Sequence, residues 1–288
     1  MKILVTGANG QLGSEIRVLA AERTNDTFTF VDIDEMDLAS DDAIEGFFAT
    51  RSFDFVVNCA AYTAVDKAEE DAKLAYRINA ESARTIAEIC KKKLMRMIHI
   101  STDYVFDGNG NQPITEDATP NPLSVYGKSK LEGERHVLAA LDNAYVIRTA
   151  WVYSTFGKNF VKTISRLARE KESLNVVSDQ IGSPTYARDL ATIILEIIDQ
   201  VSGGKADQPG IYHFSNEGVI SWYDFAWFIV RHYKLACKIN AIPSEAYPTP
   251  AVRPKFSVLN KSKLKKVFGI EVPHWYSALE DCLRLLGS

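Results

Sequence analysis

The sequence predicts an α/β protein: a doubly wound parallel sheet followed by a smaller, mixed lobe. Two observations carry that expectation. Short continuous apolar runs, the mark of strands buried on both faces, alternate with helix-patterned segments through the first half of the chain. The first of these runs opens directly into a glycine turn and then a helix.

Ile3-Leu4-Val5 is that first strand. Thr6-Gly7-Ala8-Asn9-Gly10-Gln11-Leu12-Gly13 follows with the spacing G-x-x-G-x-x-G, and Ile16, Leu19 and Ala20 continue as an amphipathic helix. Such a turn lets backbone N–H groups approach a pyrophosphate, and the helix start adds partial positive charge. The second strand, Phe28 to Val31, ends at Asp32, where a carboxylate can accept hydrogen bonds from an adenosine ribose. With no Arg or Lys in 7–13 or 31–38, charge alone favours NADH over NADPH. Asp37-Leu38 sits where an adenine ring would be flanked. Phe55 to Asn58 is the third strand, and the small residues Cys59-Ala60-Ala61 after it leave room for a ligand crossing the sheet edge.

From Asp66 to Lys93 the apolar spacing predicts a helix. Met97 to Ile100 is the fourth strand, with His99 expected in the core and Ser101-Thr102 at the carboxyl end. Turn signals at 107–111 and Pro120-Asn121-Pro122 lead to a helix from Val125, and Ala144 to Arg148 is the fifth strand. Later, helices are expected over 159–170, 187–198 and 222–233, with strands at 174–177 and 211–214. The aromatic stripe Trp222, Phe225, Phe228, Ile229 reads as core. Residues 1–150 would form a dinucleotide-binding domain and 151–288 a substrate lobe, with some later strands and helices completing the first domain.

The 288 residues are 46% hydrophobic and 24% charged, with net charge −4 from 33 basic against 37 acidic side chains. That balance gives no electrostatic footprint for nucleic acid. Cys59, Cys90, Cys237 and Cys282 are far apart and make neither a zinc set nor a redox pair. The chain enters a strand at Met1-Lys2-Ile3 and has no apolar run long enough to span a bilayer, so a cytoplasmic protein is expected, with neither membrane nor nucleic acid as a partner.

Tyr126 and Lys130 lie four residues apart, one turn apart on one helix face. Such a pair recurs by chance roughly once in a chain of this composition. A phenol beside an ammonium is nevertheless a tunable proton donor, because the charge favours the phenolate and draws its pKa towards neutrality. In a doubly wound sheet the glycine turn, Asp32, Ala60-Ala61, Thr102 and this helix all meet at one edge.

With its T-G-x-x-G-x-x-G turn and S/T…Y-x-x-x-K set, the chain resembles the extended short-chain dehydrogenase/reductase family, whose sheet is of the Rossmann type. The stretches 101–108 and 126–134, Arg148 to Tyr153, Asn159-Phe160, Asp179 to Thr185, and Arg253 to Leu259 (R-P-x-x-S-x-L) narrow the resemblance to the dTDP-4-dehydrorhamnose reductase family within it. The resemblance covers essentially the whole chain. It implies reduction of dTDP-4-dehydro-L-rhamnose to dTDP-L-rhamnose with NADPH or NADH, the last step in making that sugar donor.

By position, it implies a catalytic set of Thr102, Tyr126 and Lys130. Gly7, Asn9, Gly10, Gln11, Leu12, Gly13, Asp32, Asp37, Leu38, Ala60, Ala61 and Thr63, with Tyr126 and Lys130, would hold the dinucleotide. Tyr104, Trp151, Asn159, Gln180 and Arg253 would meet the sugar nucleotide. Some relatives dimerise around Mg²⁺. Glu15 matches the first such position, but Asp189, Glu280 and Asp281 fit the others poorly, so a metal site is not favoured and the chain is expected as a monomer or homodimer. Two other readings stay open: a dinucleotide-binding regulatory subunit resembling that of methionine adenosyltransferase, and a nucleotide-sugar epimerase or dehydratase. Tyr104 stands where a dehydratase would carry Glu.

Overall fold

The computed structural model describes residues 1–287. Strands β1 (Lys2–Thr6), β2 (Thr27–Val31) and β3 (Phe55–Asn58) alternate with helices α1 (Gln11–Ala20) and α2 (Asp41–Ala49). The connection to β4 (Arg96–Thr102) runs through α3 (Val65–Ala68), α4 (Ala72–Tyr76) and α5 (Ser82–Lys92). Helix α6 (Val125–Ala140) then leads to β5 (Ala144–Thr149). Beyond it come β6 (Val152–Tyr153), α7 (Phe160–Glu170), β7 (Ser173–Val177), β8 (Ile181–Gly182), β9 (Thr185–Tyr186) and α8 (Ala187–Ser202). The chain ends with β10 (Gly210–Phe214), β11 (Ile220–Ser221), α9 (Trp222–His232), β12 (Lys238–Ile242), α10 (Ser262–Phe268) and α11 (Trp275–Leu286).

Among the described residues the main sheet has six strands in the order β10-β5-β4-β3-β1-β2, all parallel. The expected doubly wound architecture is therefore present. Alternation along β1 explains how one strand serves two cores. Ile3 and Val5 face α1, α8 and α10, packing with Ile16, Ile194 and Phe268. Leu4 faces the other way, onto Ile44, Phe48, Ile86 and Val137 of α2, α5 and α6.

A third core joins α7, α9 and α11 under the short pairs β7–β12 and β6–β9, with Phe225, Ile229, Leu279 and Leu283 fully enclosed. Helices α8 and α10 and strand β10, all beyond residue 150, belong to the main sheet and its core. Phe225 and Ile229 are core as expected, and Trp222 and Phe228 flank that core half-covered.

The helix expected over 66–93 is not continuous. Residues 69–71 turn between α3 and α4, and Arg77–Glu81 is a π-helical turn leading into α5. The wider turn directs Asn79 inward, where its Nδ2 donates to Ser129 Oγ of α6 at 3.0 Å and to the Tyr62 carbonyl at 3.2 Å, while its Oδ1 accepts from Tyr62 N at 2.8 Å. A π turn inserted at a functional edge is a recurrent device, and apolar spacing alone does not reveal it.

Candidate active site

The glycine turn closes on itself before it meets any ligand. Gly10 N donates to Gly7 O at 3.0 Å, and Gly7 holds φ +63°, a left-handed backbone that L side chains rarely adopt. A Cβ on Gly7 would sit 2.8 Å from Ala60 N and Cα, so the turn and the end of β3 are in backbone contact. A Cβ on Gly13 would lie 2.7 Å from Ala8 Cα, which fixes how closely α1 packs on the turn. No side chain caps the first turn of α1 among the described residues, leaving that helix start to backbone N–H groups. Thr6 Oγ1 ties β1 to β3 through Asn58 Oδ1 at 2.7 Å.

A cavity of about 610 Å³ starts at this turn, with Gly7, Gly10, Gln11, Leu12, Gly13 and Asp32 in its wall. It continues past Ala60, Ala61 and Thr63 to Thr102, Tyr104, Tyr126, Lys130 and Trp151. An adjoining pocket of about 190 Å³ lies between Asp32, Asp37, Leu38, Ala60, Ala61 and Ile78. Asn9 takes part through its backbone, whose N–H donates to Asp32 Oδ2 at 2.8 Å. The turn that a Cβ would obstruct, the uncapped helix start and the acidic end of β2 fit a dinucleotide.

Helix α6 begins at Ser124, whose Oγ accepts from Gly127 N at 3.1 Å. Its start packs backbone to backbone: a Cβ on Gly127 would collide with the Tyr104 carbonyl oxygen. Tyr126 and Lys130 line the cavity together with Thr102, whose hydroxyl lies beside the phenol. Lys130 Nζ donates to the Ile100 carbonyl at 2.6 Å, and burial lowers its pKa to about 8, with Glu134 acting in the opposite sense.

Burial pushes the Tyr126 phenol up, the Thr102 hydroxyl opposes that, and Asp103 and Tyr104 add to it. This corrects the expectation that Lys130 draws the phenol towards neutrality. The ammonium is engaged by a strand carbonyl, and desolvation is the largest influence on the phenol. Thr102 Oγ1 also donates to Asp103 Oδ1 at 3.1 Å. Asp103 is buried, burial raises its pKa to about 6, and its second oxygen has no partner among the described residues.

On the substrate side the residues divide. Tyr104 stands edge-on to Tyr126 with ring centroids 5.5 Å apart, and its hydroxyl accepts from Arg253 Nη1 at 3.1 Å. Arg253 also pairs with Asp66 at 2.6 Å, so it closes one side of the site through Tyr104. Trp151, at φ +50°, lies flat on Trp222 with centroids 3.7 Å apart.

Asn159 and Gln180 are held by partners within the chain. Asn159 caps α7 and donates to Gln11 Oε1 at 2.9 Å, bracing the glycine turn against the second lobe. Gln180 donates to Ser244 Oγ at 3.1 Å, linking two loops outside the cavity wall. Glu15 is fully buried, accepting from Ser154 Oγ at 2.6 Å and Arg188 Nε at 2.9 Å. Among the described residues no group of three or more His, Cys, Asp or Glu is placed to hold a metal ion. His99 is a core histidine, 3.1 Å from Asn58 Nδ2.

Sequence reasoning missed Asn79, Lys158 in the cavity wall, and Trp222 as the support of Trp151. Trp222 carried a signal, its place in the aromatic stripe. Asn79 and Lys158 carried none, because each acts only where two distant segments meet.

The family described as RmlD substrate binding domain matches residues 1–287. The dTDP-4-dehydrorhamnose reductase of Aggregatibacter actinomycetemcomitans is 38% identical over 287 residues, covering 97% of each chain. That of Escherichia coli K12 is 40% identical over 296 residues, covering 99% of this chain and 98% of the other. A crystal structure of the Clostridium acetobutylicum dTDP-4-dehydrorhamnose reductase superposes with TM-score 0.95 at 42% identity over 100% of both chains. The Bacillus anthracis dTDP-4-dehydrorhamnose reductase in complex with NADP gives TM-score 0.92 at 34% identity over 99% of both.

Proposed function

The chain belongs to the RmlD substrate binding domain family, and from that premise we infer that it reduces the 4-keto group of dTDP-4-dehydro-L-rhamnose, giving dTDP-L-rhamnose at the expense of NADPH or NADH. This is the last step of dTDP-rhamnose biosynthesis. One observation carries the reading: a hydroxyl (Thr102), a phenol (Tyr126) and an ammonium (Lys130) share one cavity with a dinucleotide turn.

The dinucleotide, when bound, supplies a hydride to the ketone carbon. Gly7 to Gly13 and Asp32 would hold its pyrophosphate and ribose, and Asp37, Leu38 and Ile78 its adenine end. Thr102 donates a hydrogen bond to the carbonyl oxygen as negative charge gathers there, and Tyr126 delivers the proton. The raised phenol pKa suits a group that must still carry its proton when the alkoxide forms. Lys130 holds its positive charge below about pH 8 and steadies the oxyanion side of the site. Tyr104 and Trp151 offer aromatic walls to the sugar nucleotide. Arg253 holds the Tyr104 hydroxyl, where a dehydratase would need a second carboxylate.

No helix among the described residues is long and apolar enough to cross a membrane, and we place the protein in the cytoplasm. The purified chain is to be mixed with dTDP-4-dehydrorhamnose and NADH or NADPH, following nicotinamide absorbance. Stoichiometric oxidation with a rhamnose product supports the reading. Dinucleotide binding without oxidation would instead make the chain a binding module.

A further inference from the structure

Tyr126, Lys130 and Glu134 form a single i, i+4, i+8 row along α6, so the row that enters the cavity ends in a carboxylate beneath it. Glu134 is 1% exposed and Arg148 2%, and they are joined by a two-point ion pair: Arg148 Nε to Oε1 at 2.9 Å and Nη2 to Oε2 at 2.7 Å. Oε1 also accepts from Ser101 Oγ. Ser101 and Arg148 are direct partners across β4 and β5, and Thr102 is the next residue along β4. Three consecutive β4 residues thus meet the row: the Ile100 carbonyl takes Lys130, the Ser101 hydroxyl takes Glu134, and Thr102 faces the cavity.

We propose that Glu134 is a positioning residue for the reduction, acting as the buried counter-charge of Lys130 and as the clamp that fixes the Tyr126–Lys130 face of α6 against the strand carrying Thr102. The inference rests on the reductase reading above.

Among the described residues Glu134, one turn along α6, is the carboxylate whose charge acts on Lys130. From β4, His99 stays neutral because burial and the Lys130 charge both lower its pKa. From the end of β3, burial keeps the Cys59 thiol protonated. On α6 itself Tyr126 is neutral. From β5, Arg148 adds a second cation behind Glu134, and from β10 His213, lowered to about 3, is neutral. Asp103, which titrates near 6, faces Tyr126 and Thr102. Removing the Glu134 charge therefore leaves Lys130 with Arg148 nearby and no adjacent anion.

The test is the pH profile of kcat with dTDP-4-dehydrorhamnose and NADH for the parent, Glu134→Gln, and Glu134→Gln/Arg148→Met, which leaves no orphaned guanidinium in the core. The alkaline limb, expected near pH 8 in the parent, should move down by about one unit in Glu134→Gln, or about tenfold less turnover on the alkaline side. The folded double variant should move in the same direction by less. An unmoved limb in the folded double variant, or a loss of rate equal at every pH, overturns the proposal. A parent that binds NADH but never oxidises it overturns the reductase reading, and with it the role in reduction, leaving only the coupling of Glu134 to Lys130 to be tested. The same shift is then sought in the pH dependence of NADH affinity, where an unmoved profile is fatal.

Discussion

Lys130 Nζ is bonded to the carbonyl of Ile100, two residues before Thr102, at 2.6 Å. A helix side chain thereby reaches the end of a central strand, and the Thr102 hydroxyl and the Tyr126 phenol come together in the wall of one cavity. The consequences can be measured.

Tyr126→Phe removes the only proton that the phenol can give while leaving the ring against Tyr104. Turnover should fall by roughly 10²–10⁴ and the NADH dissociation constant should stay within a few-fold of the parent. Steady-state kinetics and fluorescence titration read both. Turnover equal to the parent's removes Tyr126 from the chemistry.

Asp32 ends β2 with its carboxylate turned to the Asn9 N–H and exposed to the cavity. Asp32→Ala should weaken NADH by about 10- to 100-fold, the range for hydrogen bonds to a charged acceptor, and weaken NADPH much less. The ratio of kcat/KM for the two dinucleotides is the readout. A parent that already favours NADPH would contradict the argument from repulsion of a 2′-phosphate.

Asp103 has a raised folded pKa, so its contribution to stability is present below the unfolded value of 3.8 and is lost as pH rises through about 6. Asp103→Asn does not titrate. Relative to the parent it should gain stability between about pH 4 and 6, by up to about 3 kcal/mol, and hold that gain above. Denaturant unfolding at pH 4 and pH 8 compares them. An equal difference at both values would mean that the carboxyl is not held in its neutral form.

Gly127→Ala puts a methyl group into the Tyr104 carbonyl, and neither backbone can yield without moving the start of α6. A loss of about 1–3 kcal/mol in stability is expected, as for other overpacked sites, with kcat reduced more than dinucleotide affinity. Urea unfolding together with kinetics checks it. A fully active variant would show that the helix start has room to shift.

Much of this was legible in the sequence because it is local. The apolar runs from Ile3, Phe55, Met97 and Ala144 have the pattern of strands covered on both faces, and the glycines at 7, 10 and 13 have the spacing of a tight turn feeding a helix, as the structure has them. The Tyr126–Lys130 pair needed nothing beyond helical spacing. These features are set by neighbours along the chain, where sterics and period decide the outcome.

The tertiary structure decided what depends on distant segments arriving together. Asn79 turns inward to Ser129 because a π turn forms against α6, Asn159 braces Gln11 across the lobes, and Trp151 rests on Trp222 of α9. The electrostatics of Tyr126 and Lys130 belong here as well, since burial outweighs the charge of a helical neighbour and burial exists only once the chain has closed around them. Spacing told which groups share a face; only packing told what each of them feels.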